Sequence, residues 1–360
     1  MPKKEGNKMS KLLEELTMLN AIPANEKQVR KYMEAKVNKL AEISYDNLGS
    51  IIATKIGNPN GPKIMVAGHM DEVGFILTEI TKEGYVKFIP AGGWWGHVVL
   101  SQQFNITTKD GKEIRCVVGS KPPHILEAEE RKKVVDLKDM YLDLGLSCKE
   151  EALALGLAVG DMITPYIEFK TLADPKYLLS KAFDNRIGIA LAIEVLQNLQ
   201  NEKHDNIYYG VGTVQEEVGL RGAGTAAYKI GPDIGIALDV TIAHDYPGGT
   251  FETKLGKGPC LMIYDTSMVG HVELRKYTEN LATELGIPYQ LSYLKAGGTD
   301  AGKIHMTKHG CPSIAICLAC RYLHSHTSII HQDDYDNAVK LVTELVKRLD
   351  FSTVKEITFD

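Results

Sequence analysis

Four apolar stretches of the sequence each run into a histidine, an aspartate or a glutamate. Apolar runs of this kind predict buried strands, and open α/β sheets bind ligands at the carboxyl ends of their strands. The residues concerned are His69 and Asp71 after the first stretch, Glu216 and Glu217 after the second, Asp239 at the end of the third and His324 after the fourth. The pattern therefore predicts an α/β sheet with ionisable side chains gathered at one edge.

The character of the sequence changes twice along its 360 residues, a length above the ~250–300 residues at which a single core stops growing. Helix and strand patterns alternate up to Asp71, as in an α/β domain. Short β-like segments with Gly-rich and charged turns follow, and the α/β pattern resumes near Lys170. We therefore expect an α/β domain made of residues 1–71 and 168–360, interrupted by a β-rich domain at residues 72–167.

The residues after Asn25 predict an amphipathic helix. Asn25 and Gln28 have the spacing of a capping box, with Asn25 as the N-cap. Val29, Met33 and Val37 follow at helical spacing and form one apolar stripe on an otherwise charged segment.

The composition is that of an ordinary globular protein, with 24% charged residues and a formal net charge of −5. This balance gives no electrostatic reason to expect nucleic acid or an anionic membrane as a partner. The sequence has no apolar run of the ~18 residues that a transmembrane helix needs, and no apolar segment follows its basic start. We therefore expect a cytoplasmic protein.

The six cysteines do not predict a disulfide scaffold in a chain of this length. Cys317 and Cys320 have the spacing of a zinc knuckle or a redox pair, but they lie within an apolar run. On a strand, an odd separation places two side chains on opposite faces. Buried, reduced thiols are therefore the favoured interpretation.

A set of candidate metal ligands offers only imidazole nitrogen and carboxylate oxygen. Asp184 joins the strand endings because it directly precedes an apolar helical run, Ile187–Leu199. Such donors suit Zn²⁺, with Co²⁺ and Mn²⁺ as alternatives. Five ligands exceed what one zinc ion needs, and they fit two ions about 3.5–4 Å apart that share a carboxylate. The five are His69, Asp184, Glu217, Asp239 and His324.

Two further acids have predicted roles beside these ligands. Asp71 follows His69 by two residues, so on an extended strand it can accept the second ring N–H and fix the imidazole tautomer. Glu216 is left as a carboxylate near the metals, free to act as a general base.

Motifs across nearly the whole chain resemble those of the tetrahedral (TET) dinuclear-metal aminopeptidases, which include the glutamyl aminopeptidases among the zinc metallopeptidases. The matching segments are Gly68-His-Met-Asp-Glu-Val-Gly74, Lys181-Ala-Phe-Asp-Asn-Arg186, Val214-Gln-Glu-Glu-Val-Gly-Leu-Arg-Gly222, Leu238-Asp239, Gly297-Gly-Thr-Asp-Ala-Gly302 and Arg321-Tyr-Leu-His-Ser-His326.

The resemblance implies a role for each candidate residue. His69 and Asp239 would bind one metal ion, Glu217 and His324 the other, and Asp184 would bridge them. Glu216 would be the general base and Asp71 would orient His69. These residues would lie in a three-layer α/β/α catalytic domain. The inserted β-rich domain, PDZ-like or barrel-like, would serve dimerisation, and the dimers would build a homododecamer.

The leading functional hypothesis is removal of single residues from the N-termini of peptides. A water that bridges the two metal ions would attack the scissile carbonyl, with Glu216 as its base. The sequence does not fix the side-chain preference, because the pocket residues are scattered in it; a glutamyl or aspartyl preference and a leucyl preference are the alternatives. A glycosidase related to endoglucanases and a non-catalytic assembly protein are the alternatives. Chelation separates the first of these from a metallopeptidase, because glycosidases generally use two carboxylates and no metal.

Three features of the sequence are consistent with more than one interpretation. His326 lies two residues after His324 and is an alternative ligand, or else lines the pocket or the surface. The loop Gly297–Gly302 is a plain turn, or it positions substrate or braces the groups around the metals. Trp94 and Trp95 are adjacent in the insert, where they form either a subunit interface or the core of the β domain.

Overall fold

The computed structural model describes residues 8–250 and 252–358. The α-helices within these ranges are α1 (Lys8–Thr17), α2 (Lys27–Val37), α3 (Lys149–Ala154), α4 (Phe183–Asn198), α5 (Arg221–Ile230), α6 (Val272–Glu284), α7 (Ala301–Ile304), α8 (Gln332–Arg348) and α9 (Phe351–Ile357). The strands are β1 (Glu42–Tyr45), β2 (Ile51–Ile56), β3 (Lys63–His69), β4 (Gly74–Ile80), β5 (Val86–Ala91), β6 (Gln103–Thr107), β7 (Glu113–Gly119), β8 (Tyr141–Asp143), β9 (Met162–Pro165), β10 (Lys170–Thr171), β11 (Tyr177–Ser180), β12 (Ile207–Thr213), β13 (Ile234–Ile242), β14 (Cys260–Asp265), β15 (Met268–Val269), β16 (Gln290–Tyr293), β17 (Ser313–Cys320) and β18 (Ser328–His331).

A large sheet has the strand order β1-β2-β12-β3-β13-β17-β14-β15, with β16 paired to β14. Its four central strands, β12, β3, β13 and β17, are mutually parallel. Three of the four are buried along almost their entire length, which explains their continuous apolar sequences. Because they are parallel, their carboxyl ends lie at the same edge of the sheet, as the sequence predicts.

Helices cover both faces of this sheet. On one face, α4 and α8 pack in a large core with the side chains of Ile64 and Val66 from β3. On the other, α5 and α7 pack on Met65 and Ala67 of the same strand. The alternation of β3 side chains between the two cores is the period of two that a strand imposes. The predicted three-layer α/β/α arrangement is confirmed.

Glycine allows α4 to approach β3 closely. A Cβ at Gly68 would lie 2.6 Å from the carbonyl carbon of Gly188. A side chain at Gly68 would push the helix away from the strand that carries His69.

A closed barrel follows β3 in the chain, with the strand order β4-β5-β8-β7-β6-β9. Its strands begin at Gly74 and end at Pro165. The Trp94 ring stacks on Phe75, with ring centroids 5.0 Å apart, and its Nε1 donates a hydrogen bond to Gly74 O. Trp95 is 64% exposed. Of the two predicted roles, the barrel core therefore accounts for Trp94 only, and the expected β-rich insert is a barrel.

The start of α2 differs from the predicted capping box. The residue at its N-cap is Glu26, and Asn25 is exposed. Glu26 Oε1 instead accepts hydrogen bonds from Ala24 N and, across the fold, from Gln215 N. Gln28 Oε1 accepts from Asn20 N, outside the helix. The predicted box is wrong because the helix begins one residue later, with Glu26 at the N-cap, and Gln28 binds outside the helix.

Cys317 and Cys320 are both buried on β17 and both are free thiols, as expected. No helix among residues 8–250 and 252–358 combines the length and apolar character needed to cross a membrane.

Candidate metal centre

Five elements of the fold deliver the predicted ligands to one place. His69 is the last residue of β3, and Asp239 lies on β13 beside it in the sheet. Glu217 follows β12 and His324 follows β17. Asp184 lies at the start of α4, where its backbone angles are non-helical.

The imidazole of His69 lies at the centre of the cluster. Its Nε2 is 3.1 Å from Asp184 Oδ1, 3.7 Å from Glu216 Oε2 and 3.9 Å from Asp239 Oδ1. Ligand atoms of His69, Glu216 and Asp239 all lie within 4.8 Å of one another, and the same holds for His69, Asp184 and Glu217. His69 thus belongs to two overlapping sets of donors.

Asp184 faces two histidines with its two carboxylate oxygens. Oδ1 lies next to His69 Nε2, whereas Oδ2 lies 3.4 Å from His324 Nε2. The same nitrogen of His324 is 3.5 Å from Glu217 Oε2. A carboxylate that divides its oxygens in this way has the geometry expected of a bridging ligand.

The two imidazoles are oriented by main-chain oxygens. His69 Nδ1 lies 2.9 Å from Asp71 O, and His324 Nδ1 lies 2.8 Å from Gly93 O. Carbonyl oxygens only accept, so the Nδ1 atoms donate. The Nε2 atoms of both rings are then directed at the carboxylate cluster.

The carboxylate of Asp71 braces the two adjacent glutamates. Its Oδ1 accepts a hydrogen bond from Glu216 N and its Oδ2 accepts one from Glu217 N, each at 3.1 Å. The distance from Asp71 Oδ1 to His69 Nδ1 is 3.6 Å, so the hydrogen bond to the ring is made by the main chain. Asp71 thereby fixes both the ring and the turn after β12.

Several carboxyl and imidazole groups of this site have pKa values shifted from the ordinary ones, because many ionisable side chains are buried close together. Burial, together with the Asp184 charge, raises the pKa of Glu217 to about 8. Burial also raises the pKa of Glu216 and of Asp239 well above the ordinary range. Burial lowers the pKa of His324, but the carboxylates of Glu217 and Asp184 outweigh it and raise that pKa to about 10. The cluster needs added positive charge, from protons or from cations.

Divalent cations fit these residues. The donors are imidazole nitrogens and carboxylate oxygens, a set suited to Zn²⁺, Co²⁺ and Mn²⁺. Glu217 Oε1 is buried and has no hydrogen-bond partner among the described residues. A buried carboxylate oxygen without a donor is costly unless a cation binds it.

His326 lies away from the predicted ligands and against the barrel. Its Nε2 is 2.9 Å from Gln103 O, and its ring packs edge-on against Phe104 at 4.5 Å. Burial lowers the pKa of His326 to about 4, so the ring is neutral near pH 7.

The loop Gly297–Gly302 contributes to the surroundings of the site. Gly297 and Gly298 line the cavity next to the ligands. Asp300 is buried, its Oδ2 accepts a hydrogen bond from Thr213 Oγ1, and burial raises its pKa to about 6. The loop is therefore more than a plain turn.

Several residues that support the site were not found from the sequence. Asn185 Nδ2 donates to Leu238 O at 2.7 Å and so ties the segment after Asp184 to the strand carrying Asp239. Glu72 is fully enclosed and binds Lys181 Nζ through both oxygens, at 2.7 and 2.8 Å. Both lie inside the quoted motifs, but residue type alone does not reveal these partners.

Comparisons with known proteins agree on one family. Residues 49–341 match the family model described as M42 glutamyl aminopeptidase. The chain is 38% identical to the putative aminopeptidase FrvX of Escherichia coli (strain K12), over 92% of this chain and 93% of that protein. It is 35% identical to the glutamyl aminopeptidase of Lactococcus lactis subsp. cremoris, over 95% and 97%. It is 33% identical to the lysyl aminopeptidase of Pyrococcus furiosus, over 86% and 87%.

Solved structures share the fold of this chain over nearly its whole length. A TET aminopeptidase from the marine sediment archaeon Thaumarchaeota archaeon SCGC AB-539-E09 superposes with a TM-score of 0.94, at 43% identity over 98% of this chain and 99% of that one. The Pyrococcus horikoshii TET1 peptidase, which can assemble into a tetrahedron or a large octahedral shell, has a TM-score of 0.86 at 29% identity, over 95% and 100%. A Thermotoga maritima protein named as an endoglucanase has a TM-score of 0.78 at 27% identity, over 96% and 99%.

Proposed function

Because this chain belongs to the M42 glutamyl aminopeptidase family, and is therefore a peptidase, we propose that it works with two divalent metal ions per chain. One ion would be held by His69 and Asp239 and the other by Glu217 and His324, with Asp184 shared between them. The single observation that carries this assignment is the division of the Asp184 oxygens between the two imidazoles, at 3.1 and 3.4 Å.

The metals are supported by the chemistry of the donors and by the charge of the cluster. When bound, two such ions polarise the scissile carbonyl and lower the pKa of water at the site. Zn²⁺ heads the list, and Co²⁺ or Mn²⁺ would suit the same nitrogen and oxygen donors.

Glu216 is assigned as the general base. Its side chain reaches into the cluster, with Oε2 3.7 Å from His69 Nε2, and its main chain is held by Asp71. A carboxylate at this place can take a proton from the attacking water and return it to the leaving amine. Asp71 acts as a positioning residue, since it reaches the reaction only through the groups that it holds.

Glycoside hydrolysis has less support than peptide hydrolysis. A glycosidase needs two carboxylates on opposite sides of a sugar, about 5–9.5 Å apart, without a metal. Here five carboxylates each lie within 4 Å of an imidazole nitrogen. That arrangement supports metal binding. A non-catalytic assembly protein would not need to keep this whole set of donors.

A homo-oligomer is proposed from the relatives and from the barrel surface. The TET1 peptidase of Pyrococcus horikoshii assembles into shells, and we infer a dodecamer built from dimers for this chain. Residues 72–167 would provide the dimer contact. Exposed apolar side chains on the barrel support this role: Ile89 is 51% and Trp95 64% exposed. Six free cysteines, five of them buried, suit a reducing compartment such as the cytoplasm.

Removal and return of metal tests the proposed function. The chelated protein should hydrolyse no aminoacyl-p-nitroanilide from a panel of apolar, acidic and basic residues. Adding Zn²⁺, Co²⁺ or Mn²⁺ in turn should restore activity with at least one metal. Full activity of protein shown by elemental analysis to be metal-free would refute the metal-dependent mechanism. Hydrolysis of aryl β-glycosides instead of peptides would refute the peptidase assignment.

A further inference from the structure

The cavity beside the candidate metal centre has neutral walls. Its volume is about 660 Å³, large enough for an amino-acid side chain next to the ligands. Apart from Glu216 and the five predicted ligands, every described residue lining it is uncharged. Its apolar walls come from Leu220, Val240, Ile242, Leu294, Ala296 and Leu323.

The two hydroxyl groups in the wall already donate to the protein. Ser267 Oγ donates a hydrogen bond to Asp265 Oδ1 at 2.6 Å. Thr266 Oγ1 donates to Gly297 O, also at 2.6 Å. A hydroxyl has one proton to donate, so neither side chain can offer it to a carboxylate in the cavity without giving up its present partner.

Cationic side chains close to the wall in sequence are directed elsewhere. Arg321 binds Asp245 with both Nε and Nη2, at 2.9 and 2.7 Å. Lys295 places its Nζ 5.9 Å from the centre of the Tyr293 ring. Neither residue lines the cavity.

We propose that this cavity receives the side chain of the N-terminal residue of the substrate and selects uncharged, apolar residues of the size of leucine or methionine. The inference rests on the proposed aminopeptidase function and goes beyond it by naming the substrate class. A charged side chain moved from water into a site without a partner loses hydration and regains nothing. Neither a glutamyl nor a lysyl preference, as in the names of two relatives, fits these walls.

The direct test compares kcat/KM for leucyl-, methionyl-, glutamyl- and lysyl-p-nitroanilide at one metal loading. The leucyl and methionyl substrates should exceed the charged ones by at least about tenfold, the scale of a modest pocket preference. A glutamyl or lysyl substrate hydrolysed as fast as leucyl would overturn the inference, while leaving the aminopeptidase function intact.

A binding measurement separates the two proposals if no substrate is hydrolysed. Calorimetric titration of the metal-loaded protein with L-leucine, L-glutamate and L-lysine reports the cavity without catalysis. If leucine binds more tightly than glutamate and lysine, the proposed selectivity of the cavity is supported even where the aminopeptidase function is refuted. Equal or tighter binding of a charged amino acid would refute the neutral cavity as well.

Changing one wall residue should shift the preference. Ile242 is 41% exposed, so arginine is sterically tolerable there and would add a guanidinium that can pair with a carboxylate. Ile242→Arg should raise the glutamyl-to-leucyl ratio of kcat/KM at least about tenfold. The matched control is Leu153→Arg on α3, an exposed leucine outside the cavity. The control should keep the wild-type glutamyl-to-leucyl ratio. If folded Ile242→Arg also keeps it, this wall does not contact the substrate side chain.

Discussion

His324 Nδ1 lies 2.8 Å from Gly93 O, so a main-chain atom from the segment between β5 and β6 orients a predicted metal ligand that follows β17. The barrel is therefore part of the site and does more than add surface. A movement of this segment would reach the ligand directly through one hydrogen bond.

Gly93→Ala should weaken the site through this contact. A Cβ at Gly93 would lie 3.2 Å from His324 Nδ1, which is tighter than an ordinary contact, so the ring must shift. Loss of groups that orient a metal ligand typically costs ~10–100-fold in metal affinity or activity, and we expect a loss in this range. Competition with a chromogenic chelator measures the affinity. The control is Gly224→Ala on α5, where the nearest atom would be 3.7 Å away; equal affinities in both variants would contradict the orienting role.

Glu216→Gln should keep both metal ions and lose the proton acceptor. General-base catalysis contributes ~10²–10⁴-fold, so kcat should fall by at least that order while KM changes little. Elemental analysis and steady-state kinetics on one preparation give both quantities. Ligand atoms of Glu216, His69 and Asp239 lie within 4.8 Å of one another. Loss of one metal ion in this variant would therefore indicate that Glu216 is a metal ligand and not the general base.

Asp71→Asn should have a milder effect. The carboxylate accepts from two amide groups, those of Glu216 and Glu217, and an amide side chain can accept with only one of its two atoms. We expect a loss of ~10–100-fold in metal affinity or activity. A pH–rate profile with unchanged limbs and a lower plateau would fit a positioning role. An effect as large as that of Glu216→Gln, with metals retained, would count against it.

Four of the five predicted ligands could be predicted because each lies on or after a buried apolar strand, and Asp184 because it precedes an apolar helical run. The parallel arrangement of β12, β3, β13 and β17 then brings the strand ends together without further information. The contact between Gly93 and His324 could not be predicted. It spans 231 positions in the sequence and uses a main-chain oxygen, which no residue type marks.

The predicted capping box and the predicted role of Asp71 show a second limit. Both side chains bind partners outside their predicted ones: Gln28 accepts a hydrogen bond from Asn20 N, and the Asp71 carboxylate accepts from two amides beyond β12. Spacing in the sequence identifies groups that could interact. The choice among partners depends on burial and on the packing of distant elements, which spacing does not contain.

Glu72→Gln should destabilise the fold. Glu72, Lys181 and Arg186 are all buried, and Glu72 Oε1 lies 2.7 Å from Lys181 Nζ and 3.2 Å from Arg186 Nη2. Removing one partner of a buried ion pair typically costs ~3–5 kcal/mol because the remaining charge is uncompensated. Denaturant unfolding measures this loss. The control is Lys176→Met, which breaks the exposed pair with Asp333 and should cost far less, because solvent screens an exposed pair. Similar losses in both variants would contradict the importance of burial.

Metal stoichiometry of Asp184→Asn tests the shared-carboxylate centre most directly. The wild-type protein, loaded with Zn²⁺ and freed of excess metal by gel filtration, should contain two ions per chain by elemental analysis. An asparagine has one oxygen donor and no negative charge, so it cannot neutralise two cations as a bridging carboxylate does. We expect fewer than two ions per chain and lost activity, with a circular dichroism spectrum like that of the wild type. Two tightly bound ions per chain in folded Asp184→Asn would contradict the bridging role.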